Sequence, residues 1–214
     1  MDERTCVFCF REKEDLNSIF LNEYVLCREC WKKLKIHKKS YRIQGTVYHV
    51  LYEYDEFLEG LFFQFKEQRD RVLAPVFLER EKERLFFQFK GYKVYGMCSS
   101  EEKRLFRGFE PLIEMFKSAG ITVASPFYKI KNSKQSSRSK KDREKIKEEI
   151  QLKQAYPKKN IYKKICLVDD VVTTGATISR GIELLNPDFV FVIAAHPLWI
   201  QEHEKEEILD HFFT

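Results

Sequence analysis

The chain has 214 residues, of which 43% are hydrophobic and 14% aromatic, so it can build a large core and is not a disordered protein. No apolar run approaches the ~18 residues that cross a bilayer, and no stretch near Met1 resembles a signal peptide. We therefore expect a cytoplasmic protein without membrane insertion. The net charge of +5 is mild, and its distribution along the chain is more informative than its sum.

Four of the six cysteines fall within the first 30 residues, as two Cys-x-x-Cys pairs. Each pair can present two thiolates from one tight turn, and two such turns complete the tetrahedron that Zn²⁺ prefers. Two disulfides are the alternative, but they suit an exported chain. The predicted ligands of a structural zinc ion are Cys6, Cys9, Cys27 and Cys30. We expect Cys98 and Cys166, which have no such partners in the sequence, to be buried free thiols.

The first half of the chain predicts a small zinc module followed by alternating strands and helices. The module covers residues 1–42, and its polar run from Lys32 to Lys39 predicts a short solvated helix. Hydrophobic periodicity then predicts the following elements: a strand at 46–54, a helix from Asp55, a helix at 71–87, a strand at 92–98, a helix at 101–119 closed by Gly120, and a strand at 121–124.

The second half continues this alternation after a loop at 127–150. It predicts a strand at 165–168, a helix at 176–185 and a strand at 189–194. Strands that alternate with helices indicate a parallel sheet with crossover connections. The predicted fold class is therefore α/β, with a parallel sheet flanked by helices over residues 43–214.

The most informative stretch runs from residue 165 to residue 177. An apolar strand ends in two carboxylates, Asp169 and Asp170, and a turn of small and hydroxyl residues leads into a helix. Ligands of open α/β sheets bind at the carboxyl ends of strands, and the N–H groups at a helix start attract phosphate. The carboxylates can accept hydrogen bonds from a vicinal diol or bind Mg²⁺. A mere helix cap is the alternative, but this order of features is more specific to a phosphate site.

This stretch resembles the signature of type I phosphoribosyltransferases, which bind 5-phosphoribosyl 1-pyrophosphate (PRPP). The resemblance implies that Asp169 and Asp170 hold the ribose hydroxyls, with Mg²⁺ accompanying PRPP, and that the turn holds the 5′-phosphate. The residues of that turn are Thr173, Thr174, Gly175, Ala176 and Thr177. Hypoxanthine-type members have an acid in place of Thr173, and threonine is no general base near neutral pH. We therefore do not expect purine salvage by that mechanism.

Together with the cysteine pairs, three further elements resemble the ComF family of competence-associated phosphoribosyltransferase-like proteins. They are residues 65–70 (Phe-Lys-Glu-Gln-Arg-Asp), residues 104–111 (Arg-Leu-Phe-Arg-Gly-Phe-Glu-Pro) and the loop that begins at Gln135. The resemblance implies a type I phosphoribosyltransferase-like sheet behind a small zinc-ribbon-like module. It also implies a pyrophosphate loop formed by Met97, Cys98, Ser99 and Ser100.

The chain departs from the family pattern at four places. Glu110-Pro111 stands for Asn-Gln, Arg138 for Leu and Ile146 for Asn, and residues 94–97 read Val-Tyr-Gly-Met where the family has Val-Pro-Val-Pro. The last departure concerns the strand that leads into the pyrophosphate loop. The resemblance therefore supports binding of the 5′-phosphate more strongly than transferase activity, which stays open.

The loop at 127–150 lacks apolar periodicity and predicts a flexible segment. Between residues 129 and 147 it has nine basic and two acidic residues. It can close over PRPP, bind the phosphates of single-stranded DNA, or be an ordinary solvated loop. The candidate DNA-binding residues are Lys131, Lys134, Arg138, Lys140, Lys141 and Arg143.

The residues indicate a ribose-phosphate site, a metal module and a basic loop, and the family resemblance implies a phosphoribosyltransferase-like competence protein that binds PRPP or ribose 5-phosphate and handles single-stranded DNA during natural transformation. The family resemblance implies a partner, a helicase-type competence ATPase of the ComFA kind, and recruitment to the DNA-uptake machinery at the membrane. Two alternatives are an active phosphoribosyltransferase with an unidentified acceptor and a regulator that senses PRPP without turning it over.

Overall fold

The structure, a computed structural model, describes residues 5–13, 25–129, 150–153 and 164–213. Its strands are β1 (Ile36–Ile43), β2 (Thr46–Glu53), β3 (Tyr92–Gly96), β4 (Val123–Ala124), β5 (Phe127–Lys129), β6 (Ile150–Leu152), β7 (Lys164–Val172), β8 (Phe189–Ala195) and β9 (Glu207–Ile208). Its α-helices are α1 (Arg28–Lys32), α2 (Glu56–Lys66), α3 (Lys82–Gln88), α4 (Glu101–Arg107), α5 (Pro111–Ser118), α6 (Ala176–Leu185) and α7 (Pro197–Glu202). Short 3-10 helices cover Arg71–Phe77 and Glu204–Glu206.

Seven strands form one sheet in the order β4-β3-β7-β8-β2-β1-β9. The five strands from β4 to β2 run parallel, whereas β1 and β9 add an antiparallel edge. All seven residues of β8 are buried, as expected for a parallel strand that is covered on both faces. The predicted α/β class, a parallel sheet flanked by helices, is confirmed.

The alternation of side chains along the central strands divides the core into two layers. Phe191 and Ile193 of β8 pack in the layer that contains the buried faces of α2, α3 and α5. Val190 and Val192 pack in the opposite layer with the buried residues of α6 and α7. Both faces of the sheet are therefore closed by helices, and its strand ends are left to form sites.

The predicted helix from Lys32 to Lys39 is wrong. α1 ends at Lys32, and the chain enters β1 at Ile36. β1 pairs with β2 from Ile36↔Tyr52 to Ile43↔Thr46, so the partner strand overrides the helix propensity of the lysines. Seven of the eight residues of β1 fall within the range 1–42, although β1 belongs to the main sheet. The division of the chain at residue 42 stays a prediction.

Two long predicted helices are each broken in two. The helix predicted at 71–87 is a 3-10 helix that contains Pro75, followed by α3; proline removes a donor and clashes with the preceding turn. The helix predicted at 101–119 is α4 and α5, separated where Gly108 adopts φ +75° and Pro111 begins the next helix.

Most of the other predicted elements occur close to their predicted positions. β7 is longer than predicted, because it continues through Asp169 and Asp170 to Val172. The ends of the predicted loop at 127–150 form β5 and β6, which pair with each other, and residues 130–149 lie outside the described part. Among the described residues no helix is long and apolar enough to span a bilayer; α2, the longest, has 11 residues.

Candidate functional site

A cleft of about 320 Å³ opens at the carboxyl ends of β3 and β7. These strands are parallel neighbours, but the connections that follow them lead in opposite directions along the sheet. After β3 the chain passes through α4 and α5 to β4 on one side, and after β7 it passes through α6 to β8 on the other side. Such a switch point is where open α/β sheets bind ligands. The cleft is lined by Lys66, Met97, Cys98, Ser99, Ser100, Lys103, Arg107, Glu110, Leu112, Lys129, Asp169, Asp170, Val171 and Thr177.

The predicted acid pair lies on the part of β7 that extends beyond β3. β7 passes its last pair with β3, Gly96↔Val168, and then brings Asp169 and Asp170 to the cleft wall, both half-buried. The Lys66 ammonium at the end of α2 is 2.5 Å from Asp170 Oδ2. Both carboxylates also accept local backbone hydrogen bonds, Asp169 from Asp170 N–H (3.0 Å) and Asp170 from Val171 N–H (2.7 Å).

Burial and the neighbouring Asp170 charge raise the pKa of Asp169 to about 8. At neutral pH the protonated form of Asp169 is therefore favoured. A hydroxyl donor or a divalent cation placed at the pair would favour the ionised form of both carboxylates. Two adjacent carboxylates are a donor set that fits Mg²⁺, so the pair is suited either to a diol or to a metal-bound ligand.

The predicted phosphate turn follows the acid pair directly. Thr173 and Thr174 are exposed, and Gly175 adopts φ +72° immediately before α6. A side chain at Gly175 would be strained in that conformation, and its Cβ would lie 3.5 Å from Trp199 Nε1. Ala176 and Thr177 open α6, and Thr177 lines the cleft. The turn and the acid pair therefore share one end of β7.

The predicted pyrophosphate loop forms the opposite wall of the cleft. Met97 donates from its backbone to Val168 O at 2.9 Å, which places the residues after β3 beside β7. Ser99 donates to Glu110 Oε1 from its backbone N–H (3.3 Å) and from its hydroxyl (2.9 Å). Ser100 accepts from Lys103 N–H (3.3 Å) and caps α4. All four residues from Met97 to Ser100 line the cleft.

Sequence reasoning did not assign five charged residues of the cleft: Lys66, Lys103, Arg107, Glu110 and Lys129. Arg107 is 8% exposed, and its Nη2 lies 2.5 Å from Glu67 Oε1. Its Nε–H has no hydrogen-bond partner among the described residues, which is costly for a buried donor. A signal existed, because Lys66, Arg107 and Glu110 lie in the two segments that carried the family resemblance.

The four N-terminal cysteines converge on one point. Their sulfur atoms all lie within 4.8 Å of one another, so they can hold a metal ion. All six cysteines, each within the described residues, are free thiols, which excludes the two-disulfide alternative in this structure. A tight turn closed by Cys6 N–H to Arg11 O (2.9 Å) presents the first pair, and the start of α1 presents the second. Cys98 and Cys166 are buried free thiols, as predicted.

The cysteine cluster is packed into the core and is not an appendage on the surface. Cys6, Cys27 and Cys30 belong to the same apolar layer as α2, α3 and α5. The Glu79 carboxylate accepts a hydrogen bond from Val25 N–H (3.1 Å), and the Arg80 guanidinium lies 4.0 Å from the Trp31 ring centre. Loss of the cluster would therefore disturb one face of the main sheet.

The candidate DNA-binding residues, from Lys131 to Arg143, lie outside the described part of the chain. Their assignment stays a prediction. Lys129, at the end of β5, is the described residue that leads into this segment, and it lines the cleft. The basic segment therefore leaves the described structure at the cleft wall.

No protein-family model matches the chain. One relative is the competence protein ComFC of Streptococcus pneumoniae, with 28% identity over 141 residues, which cover 66% of this chain and 62% of that protein. The match thus spans less than two thirds of the relative's length. The resemblance to the ComF family, first indicated by the motifs of the sequence, is confirmed by this homologue.

Proposed function

We propose that the chain is a phosphoribosyltransferase-like competence protein that binds PRPP or ribose 5-phosphate in the cleft and handles single-stranded DNA during natural transformation. The observation that carries the proposal is the shared position of the acid pair, the phosphate turn and the loop from Met97 to Ser100 at one switch point of the sheet. The competence homologue supports the biological context.

In this proposal different residues of the cleft bind different parts of the ligand. Asp169 and Asp170 accept hydrogen bonds from the ribose hydroxyls, and Mg²⁺ accompanies PRPP. The turn from Thr173 to Thr177 holds the 5′-phosphate at the start of α6, where N–H groups and the helix dipole favour an anion. The buried guanidinium of Arg107 adds positive charge beside the loop at 97–100.

The test of ligand binding is a thermal shift with ribose 5-phosphate and with PRPP plus Mg²⁺. A ligand at 100 times its Kd stabilises the fold by about 2.7 kcal/mol, which raises the Tm of a chain of this size by roughly 5–10 °C. The double substitution Asp169→Ala and Asp170→Ala should abolish the shift. The matched control removes two exposed carboxylates outside the cleft, by Glu204→Ala and Glu206→Ala. A double cleft variant that responds like the parent would refute the ribose contacts.

The test of DNA handling is the salt dependence of binding to single strands. Each phosphate contact contributes roughly 0.7 to the log–log salt slope, so replacing Lys140, Lys141 and Arg143 with Ala should reduce the slope by about 2. The control replaces Lys82, Lys90 and Lys117, which are exposed elsewhere on the surface. If the variant without Lys140, Lys141 and Arg143 instead binds DNA normally but loses affinity for PRPP, the basic segment closes over PRPP and does not bind DNA.

The remaining parts of the proposal concern the metal and the partner. We propose that Zn²⁺ occupies the cysteine cluster in a structural role, since four thiolates leave no ligand position open for water. The proposed partner is a helicase-type competence ATPase of the ComFA kind, which would bring the protein to the DNA-uptake machinery. Co-purification of the two proteins from competent cells, repeated with the Asp169/Asp170 variant, tests this partnership.

A further inference from the structure

Glu110 places a carboxylate at the loop that is proposed to bind pyrophosphate. Its Oε1 accepts hydrogen bonds from both donors of Ser99, the backbone N–H at 3.3 Å and the hydroxyl at 2.9 Å. A backbone N–H and a hydroxyl that follow a strand are the donors that such a loop offers to a phosphate oxygen. Here they are already satisfied by an anion of the protein itself.

The position of Glu110 in the fold explains why its carboxylate points to the loop. Glu110 immediately precedes α5, with Pro111 at the first position of the helix, and its side chain makes no cap to its own helix. The short segment between α4 and α5 therefore fixes the Glu110 backbone beside Ser99. The Arg107 guanidinium, which donates to Ser99 Oγ at 3.4 Å, completes a chain from Glu67 through Arg107 and Ser99 to Glu110.

The other charges of the cleft bear on how strongly the Glu110 carboxylate repels a bound diphosphate. The cleft is lined by four cations, Lys66, Lys103, Arg107 and Lys129, and by three acidic residues, Asp169, Asp170 and Glu110, of which Asp169 has a raised pKa. Two of the cations already have a carboxylate within 2.5 Å, Lys66 with Asp170 and Arg107 with Glu67. A diphosphate adds several negative charges directly beside Glu110, and like charges that lose their water repel strongly.

We propose that Glu110 is a specificity-determining residue that occupies the loop as an internal anion and lowers its affinity for a diphosphate relative to a sugar monophosphate. The inference rests on the proposed function, because it takes a ribose 5-phosphate site in the same cleft. A divalent cation bound together with the diphosphate would reduce this repulsion, because it would neutralise part of the negative charge beside Glu110. Binding of a diphosphate should therefore depend on Mg²⁺ more strongly than binding of ribose 5-phosphate does.

The experiment is calorimetric titration with inorganic pyrophosphate and with ribose 5-phosphate, each in EDTA and in Mg²⁺. The variant is Glu110→Gln, which keeps the size of the side chain and an acceptor for Ser99 but removes the charge. The control is Glu101→Gln, which removes the same charge from an exposed position in the first turn of α4. Both variants are first compared with the parent by thermal unfolding, so that a folding defect is seen separately.

In EDTA we expect Glu110→Gln to bind pyrophosphate at least about tenfold more tightly than the parent, a gain of about 1.4 kcal/mol. The affinity for ribose 5-phosphate should change much less, and Glu101→Gln should change neither affinity by more than about twofold. An equal pyrophosphate affinity in the parent and Glu110→Gln overturns the inference, as does an equal gain in Glu101→Gln. Failure of the parent to bind ribose 5-phosphate refutes the proposed function instead.

Discussion

Gly181 lets α6 pack directly against the sheet at the cleft, and its substitution tests that packing. A Cβ at this position would lie 2.7 Å from Met97 Sδ and 2.8 Å from Leu167 Cδ2. Non-bonded heavy atoms of this kind are optimal at about 3.5–4.0 Å, so the new methyl group overlaps both. Leu167 is 0% exposed and can move aside only by displacing other core side chains, whereas Met97 lines the cleft and can shift toward it.

Two opposing effects set the magnitude for Gly181→Ala. Alanine gains about 1 kcal/mol over glycine in the interior of a helix, whereas overpacking of a buried site costs about 1–3 kcal/mol. We expect the cost to dominate, with a net loss of about 1 kcal/mol. Gly60→Ala in α2 is the matched control, because nothing lies within 4 Å of its added Cβ. That variant should gain about 1 kcal/mol.

Equilibrium unfolding in urea, followed by circular dichroism, measures both variants. The midpoints should move in opposite directions while the slope of the free energy of unfolding with urea stays constant. The difference of about 2 kcal/mol corresponds to roughly 4–8 °C in Tm for a chain of this size. If Gly181→Ala is as stable as Gly60→Ala, α6 is not as close to Leu167 and Met97 as the structure places it.

Two further predictions concern stability. We expect one metal ion per chain in the parent and less in Cys27→Ser, measured by elemental analysis. Cys27→Ser should also lower the Tm of the whole chain in calorimetry, because the cysteine cluster is part of the main core. An unchanged Tm would contradict this. Burial raises the pKa of Glu79 from 4.5 to about 7, so its contribution to stability is complete below pH 4.5 and is lost as the pH rises through 7. Glu79→Gln keeps an acceptor for Val25 N–H, and its free energy of unfolding should exceed that of the parent by about 1–3 kcal/mol between pH 5 and pH 8. Equal pH profiles of the two proteins in urea unfolding would refute this.

Local reasoning from the sequence placed the part of the candidate site that is encoded in one continuous stretch, and the family resemblance added the loop from Met97 to Ser100. The apolar strand, Asp169-Asp170 and the turn at Gly175 follow one another, so their order alone indicates their shared position. Lys66 reaches the cleft from the end of α2, a hundred residues earlier in the chain, and Arg107 reaches it from α4. Their hydrophobic periodicity does not show that these helices meet β7, because that contact is created by the strand order.

Some errors in the predicted secondary structure come from contacts between distant parts of the chain. Others come from local signals for the end of a helix. The run from Lys32 to Lys39 has good helix formers, but Ile36 begins a strand because β2 supplies its hydrogen bonds. Pro75, Gly108 and Pro111, by contrast, are local signals that break helices. Those breaks shape the candidate site, since the segment between α4 and α5 is what places Glu110 against Ser99.

One helix connects the cysteine cluster and the cleft, and its packing separates their roles. Near its start, the α2 residue Phe57 contacts Phe8 beside the cysteines, with ring centres 5.2 Å apart; at its end, Lys66 reaches Asp170. Between these contacts Leu61 and Phe65 are 0% exposed, and the Phe65 ring packs against Phe77 and Phe109, so contacts other than those of the cysteines also hold the end of α2 in place. Loss of the metal should therefore lower the stability of the fold, while chains that stay folded keep Lys66 at the cleft and still respond to ribose 5-phosphate. A folded Cys27→Ser variant without any ligand-induced shift in Tm would mean that the metal organises the cleft itself.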